Sequence, residues 1–209
     1  MEQFFYQCEK NGCFLEQYVY HIGSYHYNWH RELELMTVLR GGLEVCIDGA
    51  SHLLRDSDVI LIGSNKGHAT LARQPESVAM VLHIAPDLFR EYYGDMDALQ
   101  FTCCSEGGRK NERPFVLLRA HLASLMLSAQ GQGAEEKLRF ESALSHGFSD
   151  LKSFNTVFRA RFSKTPTEYR RQLDETVTKY DPRFKRDFLP RADEAMNQIL
   201  LQYVLDPGQ

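Results

Sequence analysis

A series of short β-rich runs between Phe14 and Ile84, each closed by turn residues, constrains this chain more than any other feature. LELMTVLRG, LEVCIDGASHLLR, DVILIGSNKGH and SVAMVLHIA are the clearest. Asp48-Gly49 lies between two alternating segments and is a strong signal for a two-residue hairpin turn. Gly41-Gly42 and Gly63-Ser64-Asn65 punctuate the other runs. Several short strands at this spacing predict a sandwich or a small β-barrel, and a barrel of this size can hold one small ligand.

The chain has 209 residues, enough for one sizeable core or two small ones, and its 43% hydrophobic and 25% charged residues fit a water-soluble globular protein. No run approaches the ~18 apolar residues needed to span a bilayer, and MEQFFYQCEKNG lacks the basic-then-apolar order of a signal peptide. The expectation is a cytoplasmic protein with no membrane partner. Cys8, Cys13, Cys46, Cys103 and Cys104 form an odd set without paired C-x-x-C spacing, which reads as free thiols in a reducing compartment. Residues 1–133 carry 11 basic and 16 acidic side chains, whereas 134–209 carry 13 and 12. A nucleic-acid surface is therefore expected in the second part. No Gly-rich phosphate loop, nucleophile elbow or zinc-spaced cysteine set is present, so no catalytic residues are assigned and the chain is not expected to be an enzyme.

Tyr25, Tyr27, Trp29 and His30 concentrate aromatic and polar groups just before the strongest strand. They suit stacking on a sugar or similar small molecule, and equally suit packing of a barrel rim. After Pro86 the sequence reads as a short helix and an irregular loop. PFVLLRAHLASLMLSA then carries Phe115, Leu118, Leu122, Leu125 and Met126 on one helical stripe, which predicts burial against the barrel or a dimer interface. Gln130 to Gly133 form a flexible break. The last stretch, DFLPRADEAMNQILLQYV, reads as an amphipathic helix with Leu189, Ala192, Met196, Ile199, Leu200 and Tyr203 on one side.

Gly147 to Arg170, GFSDLKSFNTVFRARFSKTPTEYR, reads as a turn, a basic helix, a second turn and a capped helix. Leu151, Phe154, Phe158 and Phe162 recur at steps of three and four on one apolar face. Thr165, Pro166 and Glu168 fit an N-cap, a first-turn proline and a capping-box partner. Between Leu144 and Leu173 there are six basic residues against two acids, a balance suited to a phosphate backbone.

GFSD, the aromatics at Phe154 and Phe158, and TPTEYR, in that order, resemble the end of an AraC/XylS-type DNA-binding domain. The resemblance implies that Lys152, Ser153 and Thr156 face base edges in the major groove, while Asn155 and Arg159 meet phosphates. Such a domain has two helix-turn-helix units, and the dozen or so residues after Gly133 are too few for the first at about 1.5 Å per helical residue. The DNA-binding domain is therefore expected to be partial and its binding weak. Asn28 to His68 resembles the cupin fold that AraC-type regulators use for effector sensing. A metal-binding cupin shows two histidines one residue apart, a glutamate four residues later and a distant histidine, and the matching positions here are Asn28, His30, Glu34 and His68. An amide in the first place weakens a metal set, so neither metal nor cofactor is expected. Trp29, His30, Glu34 and His68 are the expected ligand-binding residues.

The predicted architecture is α+β. A cupin-like effector-sensing barrel spans 1–95, a helical linker and possible dimerisation region 96–145, a partial AraC-type helix-turn-helix 146–175, and a helical tail 176–209. The expected function is that of a ligand-responsive bacterial transcription regulator, a homodimer acting on DNA under a small-molecule effector. The alternatives are a metal-dependent cupin enzyme and a sensor module without DNA binding.

Overall fold

The computed structural model describes residues 2–10, 13–23, 26–89, 101, 103–130 and 186–205. Two antiparallel sheets dominate it. The larger has the order β1 (Phe5–Lys10), β2 (Cys13–His21), β9 (Val78–Ile84), β4 (Leu33–Arg40), β7 (Val59–Ile62), with β10 (Asp187–Phe188) also paired to β2. The smaller has the order β3 (His26–Asn28), β8 (His68–Ala72), β5 (Gly42–Ile47), β6 (Ala50–Arg55). The Asp48-Gly49 turn between β5 and β6 forms as expected, with φ of 49° and 85°, the left-handed pair that a tight hairpin requires.

The alternation of side chains along each strand builds two cores. Met36, Val38, Ala79 and Val81 point from the large sheet toward Leu43, Val45 and Leu54 of the small one. Leu35, Leu39, Met80 and Leu82 point the other way, onto two helices, α1 (Arg113–Gln130) and α2 (Glu194–Leu205). This explains why β4 reads as nearly continuous apolar sequence: its residues from Leu33 to Leu39 are all buried, on one face or the other.

Three features of the fold bear on these expectations. The two sheets face each other, but among the described residues no ladder joins β6 to β7 and the barrel is not closed. β7 is only four residues long, and its free edge is taken by the segment around Cys104, which bridges Ile60. Second, the stripe of α1 covers the chain's own sheet: Phe115, Leu122 and Met126 are buried in the outer core, with Leu118 and Leu125 packed beside them. Third, the packed unit extends beyond residue 95. β10 adds to the large sheet, and Leu189, Met196 and Leu200 are buried against it and α1. No described helix is long and apolar enough to cross a membrane. The expected helix-turn-helix, 146–175, lies outside the described residues, and with it Lys152, Ser153, Asn155, Thr156 and Arg159.

Candidate functional site

At one end of the space between the sheets, strand register lines up a row of ionisable groups. His83 on β9 stands opposite Glu16 on β2 and opposite Glu34 on β4, all three on the inward face that carries Val81 and Met36. His68 enters from the first position of β8, and His30 from the turn before β4. That turn is held from several sides. Asn65 N–H donates to the His30 carbonyl at 3.1 Å and Ser64 Oγ to the Arg31 carbonyl at 2.7 Å. The Arg31 guanidinium grips Asp87 through two contacts of 2.9 and 3.0 Å.

Three imidazoles converge on one carboxylate oxygen. His30 Nε2 and His83 Nε2 each lie 2.9 Å from Glu34 Oε2, and His68 Nε2 lies 3.2 Å from it. The His68 approach lacks hydrogen-bond geometry, so this buried nitrogen is left without a partner. The opposite ring nitrogens all face acceptors: the Glu32 carbonyl at 3.1 Å from His30 Nδ1, the Lys66 carbonyl at 3.0 Å from His68 Nδ1, and Glu16 Oε1 at 3.3 Å from His83 Nδ1. Acceptors at Nδ1 place the proton there and leave each neutral ring with an Nε2 lone pair aimed at Glu34. A lone pair facing a carboxylate oxygen is repulsive unless a cation lies between them, whether a proton or a metal ion.

Without a metal, protons must fill that role. Burial alone would raise the Glu34 carboxyl, but the three imidazoles outweigh it and hold it well below the usual carboxylate range. Burial likewise opposes a charge on His83, yet Glu16 and Glu34 on either side lift its pKa to about 9. Protonating all three rings would crowd like charges, since the His30 ring centre is 4.7 Å from that of His83 and 5.2 Å from that of His68. A single divalent ion satisfies the same lone pairs without that repulsion. The ligand atoms of His30, Glu34 and His83 all lie within 4.8 Å of one another, a spacing one ion can span. The residues present therefore fit a divalent metal, with His68 Nε2 as the further nitrogen.

This revises the sequence expectation. His30, Glu34 and His68 come together, but the fourth member is His83 and not the residue two before His30. Asn28 instead stands opposite His68 in the β3–β8 ladder. The amide no longer counts against a metal once His83 supplies a nitrogen from another strand. A signal for His83 was present: it shares the inward phase of Ala79 and Val81, so SVAMVLHIA carries a histidine on an otherwise apolar face. Trp29 does not join the cluster. It is 56% exposed and lies with the Tyr27 hydroxyl over Gly67, where a Cβ would come within 2.5 Å of that hydroxyl.

Behind the cluster, Glu16 connects His83 to Arg186, just before β10. Arg186 Nη1 donates to Glu16 Oε1 at 3.1 Å, and its guanidinium lies 4.6 Å above the centre of the Tyr18 ring. The Tyr18 ring meets His83 edge-on at 5.7 Å and Tyr20 at 5.4 Å. Burial raises both phenols above their ordinary range, so they remain neutral hydroxyls.

No protein-family model matches this chain, and no curated relative does. Solved structures are similar to part of it. KdgF from Halomonas sp. is 18% identical with a TM-score of 0.32, over 37% of this chain and 73% of that one. The Cnp3 cupin domain of Schizosaccharomyces pombe is 14% identical with a TM-score of 0.34, over 43% and 69%. The Cupin_2 domain of an XRE-family transcriptional regulator from Enterobacter cloacae is 20% identical with a TM-score of 0.30, over 35% and 80%. Likeness at this level shows no function.

Proposed function

We propose that this chain is a cupin-type sensor of a small molecule, in which His30, Glu34, His68 and His83 hold a divalent metal and the 146–175 segment passes the response to DNA. The observation that carries the sensor reading is the convergence of three Nε2 atoms on Glu34 Oε2, with every Nδ1 already facing an acceptor. A bound divalent ion would supply a Lewis-acidic position for an oxygen donor of the effector. The protein's own groups orient that centre. Glu16 holds His83, the Glu32 and Lys66 carbonyls hold His30 and His68, and the Tyr18 and Tyr20 hydroxyls stay protonated beside it. A sugar or similarly hydroxylated effector suits this set, with exposed Tyr27 and Trp29 as an apolar platform at the rim. The DNA-binding part of the reading is supported by the GFSD and TPTEYR strings and the basic face between them. A homodimer through the helical layer belongs to the same reading, since Leu117, Leu201 and Leu205 stay exposed there.

Metal content of the purified full chain tests the centre. Loss of one equivalent of a first-row divalent metal, relative to wild type, in His83→Ala and in Glu34→Gln is the expected result. Identical metal content in wild type and both variants would overturn it. A thermal-shift screen with sugars and small hydroxy acids tests the effector site. Stabilisation that survives the combined His30→Ala, Glu34→Gln, His83→Ala change would place the ligand elsewhere.

A further inference from the structure

A second cluster of metal-ligating side chains lies outside this site, where the edge of the small sheet approaches the edge of the large one. His52 sits on β6, Cys104 forms the bridge to Ile60 on β7, and Glu106 lies two residues beyond it. His52 Nδ1 lies 3.0 Å from Glu106 Oε2 and 3.9 Å from Cys104 Sγ. One donor atom from each of the three lies within 4.8 Å of the others, and all three residues are half-buried.

Local structure holds each donor in place. The backbone N–H of Leu53 donates to Glu106 Oε1 at 2.8 Å, which leaves Oε2 turned toward His52. The Leu53 contact is also the main reason the Glu106 carboxyl stays below its usual range and remains charged. Cys104 is fixed by its flanking residues. The Leu61 N–H donates to the Cys103 carbonyl at 2.8 Å, and the Ser105 N–H to the Val59 carbonyl at 2.9 Å. Ser105 Oγ is itself held, accepting from the Val59 N–H at 2.8 Å and donating to Asp58 Oδ1 at 2.7 Å.

We infer that His52, Cys104 and Glu106 form a site for a zinc-class divalent metal, distinct from the histidine cluster between the sheets. Imidazole, thiolate and carboxylate are the ligand types that zinc takes, and three protein donors on a half-exposed site leave its fourth position to solvent. On coordination the Cys104 thiol gives its proton to solvent and binds as thiolate. The site spans the gap that no described strand ladder closes: one ligand belongs to β6 and two to the segment on β7. A metal there buckles the two sheets together, and it differs from the first centre in containing sulfur.

Cobalt(II) reads that difference directly, because only a thiolate ligand gives a sulfur-to-cobalt charge-transfer band in the near ultraviolet. The experiment uses the full chain, reduced, stripped with chelator and titrated with cobalt. The band is expected to saturate at one equivalent of sulfur-bound cobalt in wild type. It should persist in Cys103→Ser and His83→Ala and vanish in Cys104→Ser. In His52→Ala the affinity read from the band should fall by more than the roughly tenfold that loss of a supporting outer partner costs. No band in reduced wild type, or a band that survives Cys104→Ser, would overturn the proposal. Alkylation of wild type by iodoacetamide provides a measurement free of variants. Cobalt should protect Cys104, and equal labelling with and without cobalt would count against the site.

Discussion

Glu34 and His83 are 49 residues apart in sequence and face each other across neighbouring strands, with Oε2 and Nε2 separated by 2.9 Å. The pairing is imposed by the main-chain register of β4 and β9. A one-residue slip of β9 would turn His83 away from the inter-sheet space and toward the helices. The candidate centre is thus a property of sheet alignment, which gives its variants definite expected behaviour.

Glu34→Gln removes the charge on which three imidazoles converge. In the presence of chelator, the loss of hydrogen bonds to a charged acceptor should lower unfolding stability by about 1–3 kcal/mol. Urea denaturation monitored by circular dichroism measures it. Unchanged stability would mean that the histidines gain nothing from Glu34 in the metal-free protein.

Glu16→Gln leaves every direct ligand in place but changes the group facing His83 Nδ1. The affinity for zinc should fall about 10- to 100-fold with the stoichiometry unchanged, the usual effect of losing an orienting carboxylate. Calorimetric titration separates the two quantities, and wild-type affinity would remove Glu16 from the centre.

Trp29 is the single tryptophan and is the neighbour in sequence of His30. Its emission should be quenched by cobalt or copper bound at the centre. Quenching is expected in wild type and in Cys104→Ser, and should be lost in the combined His30→Ala, His83→Ala variant. Quenching that is the same in that variant would show that the ion responsible sits elsewhere.

Leu200 is fully buried between α2 and the sheet, whereas Leu205, one turn further on, is 78% exposed. Leu200→Ala should destabilise the whole unit by about 2–5 kcal/mol, and Leu205→Ala by less than about 0.5 kcal/mol. A single cooperative transition shifted only by the first change is the expected melting behaviour. Two separate transitions would mean that the terminal helix folds apart from the sheets.

On the proposed reading, the chain should bind duplex DNA weakly, with little sequence preference and a steep fall as salt rises, since a single recognition helix would make few phosphate contacts. Lys152→Ala and Arg159→Ala should weaken it further. Fluorescence anisotropy at two salt concentrations is the measurement. Tight, salt-resistant, sequence-selective binding would show that half of an AraC-type domain suffices.

Much of the strand pattern was legible in the sequence, because hairpin chemistry is local. Asp48-Gly49 announces its own turn, and the apolar run from Leu33 to Leu39 announces a strand covered on both faces. His83 was harder to find. Its inward phase shows in SVAMVLHIA, but its partners Glu16 and Glu34 are fixed by pairings to two distant strands. The spacing of Asn28, His30 and Glu34 pointed to a motif with a defective first member, and only the register of β9 supplies the missing nitrogen. Cys104 reads as a free thiol because His52 is 52 residues away on the opposite sheet. β10 left no signal, since two residues cannot display a period. The openness of the barrel was equally hidden, because alternation specifies which face is buried and not whether the last strand pairs with the first.

The end of α1 and Arg186 both belong to one packed unit, so the 55 residues from 131 to 185 join two points of the same body. For a flexible connection between two fixed points, the entropy of joining its ends grows only with the logarithm of its length. Doubling it would cost about 0.6 kcal/mol. The sheets and helices are therefore almost indifferent to how much sequence is spliced between Gln130 and Arg186. On the proposed reading, a helix-turn-helix unit could be gained or lost at that point with hardly any thermodynamic penalty to the packed unit.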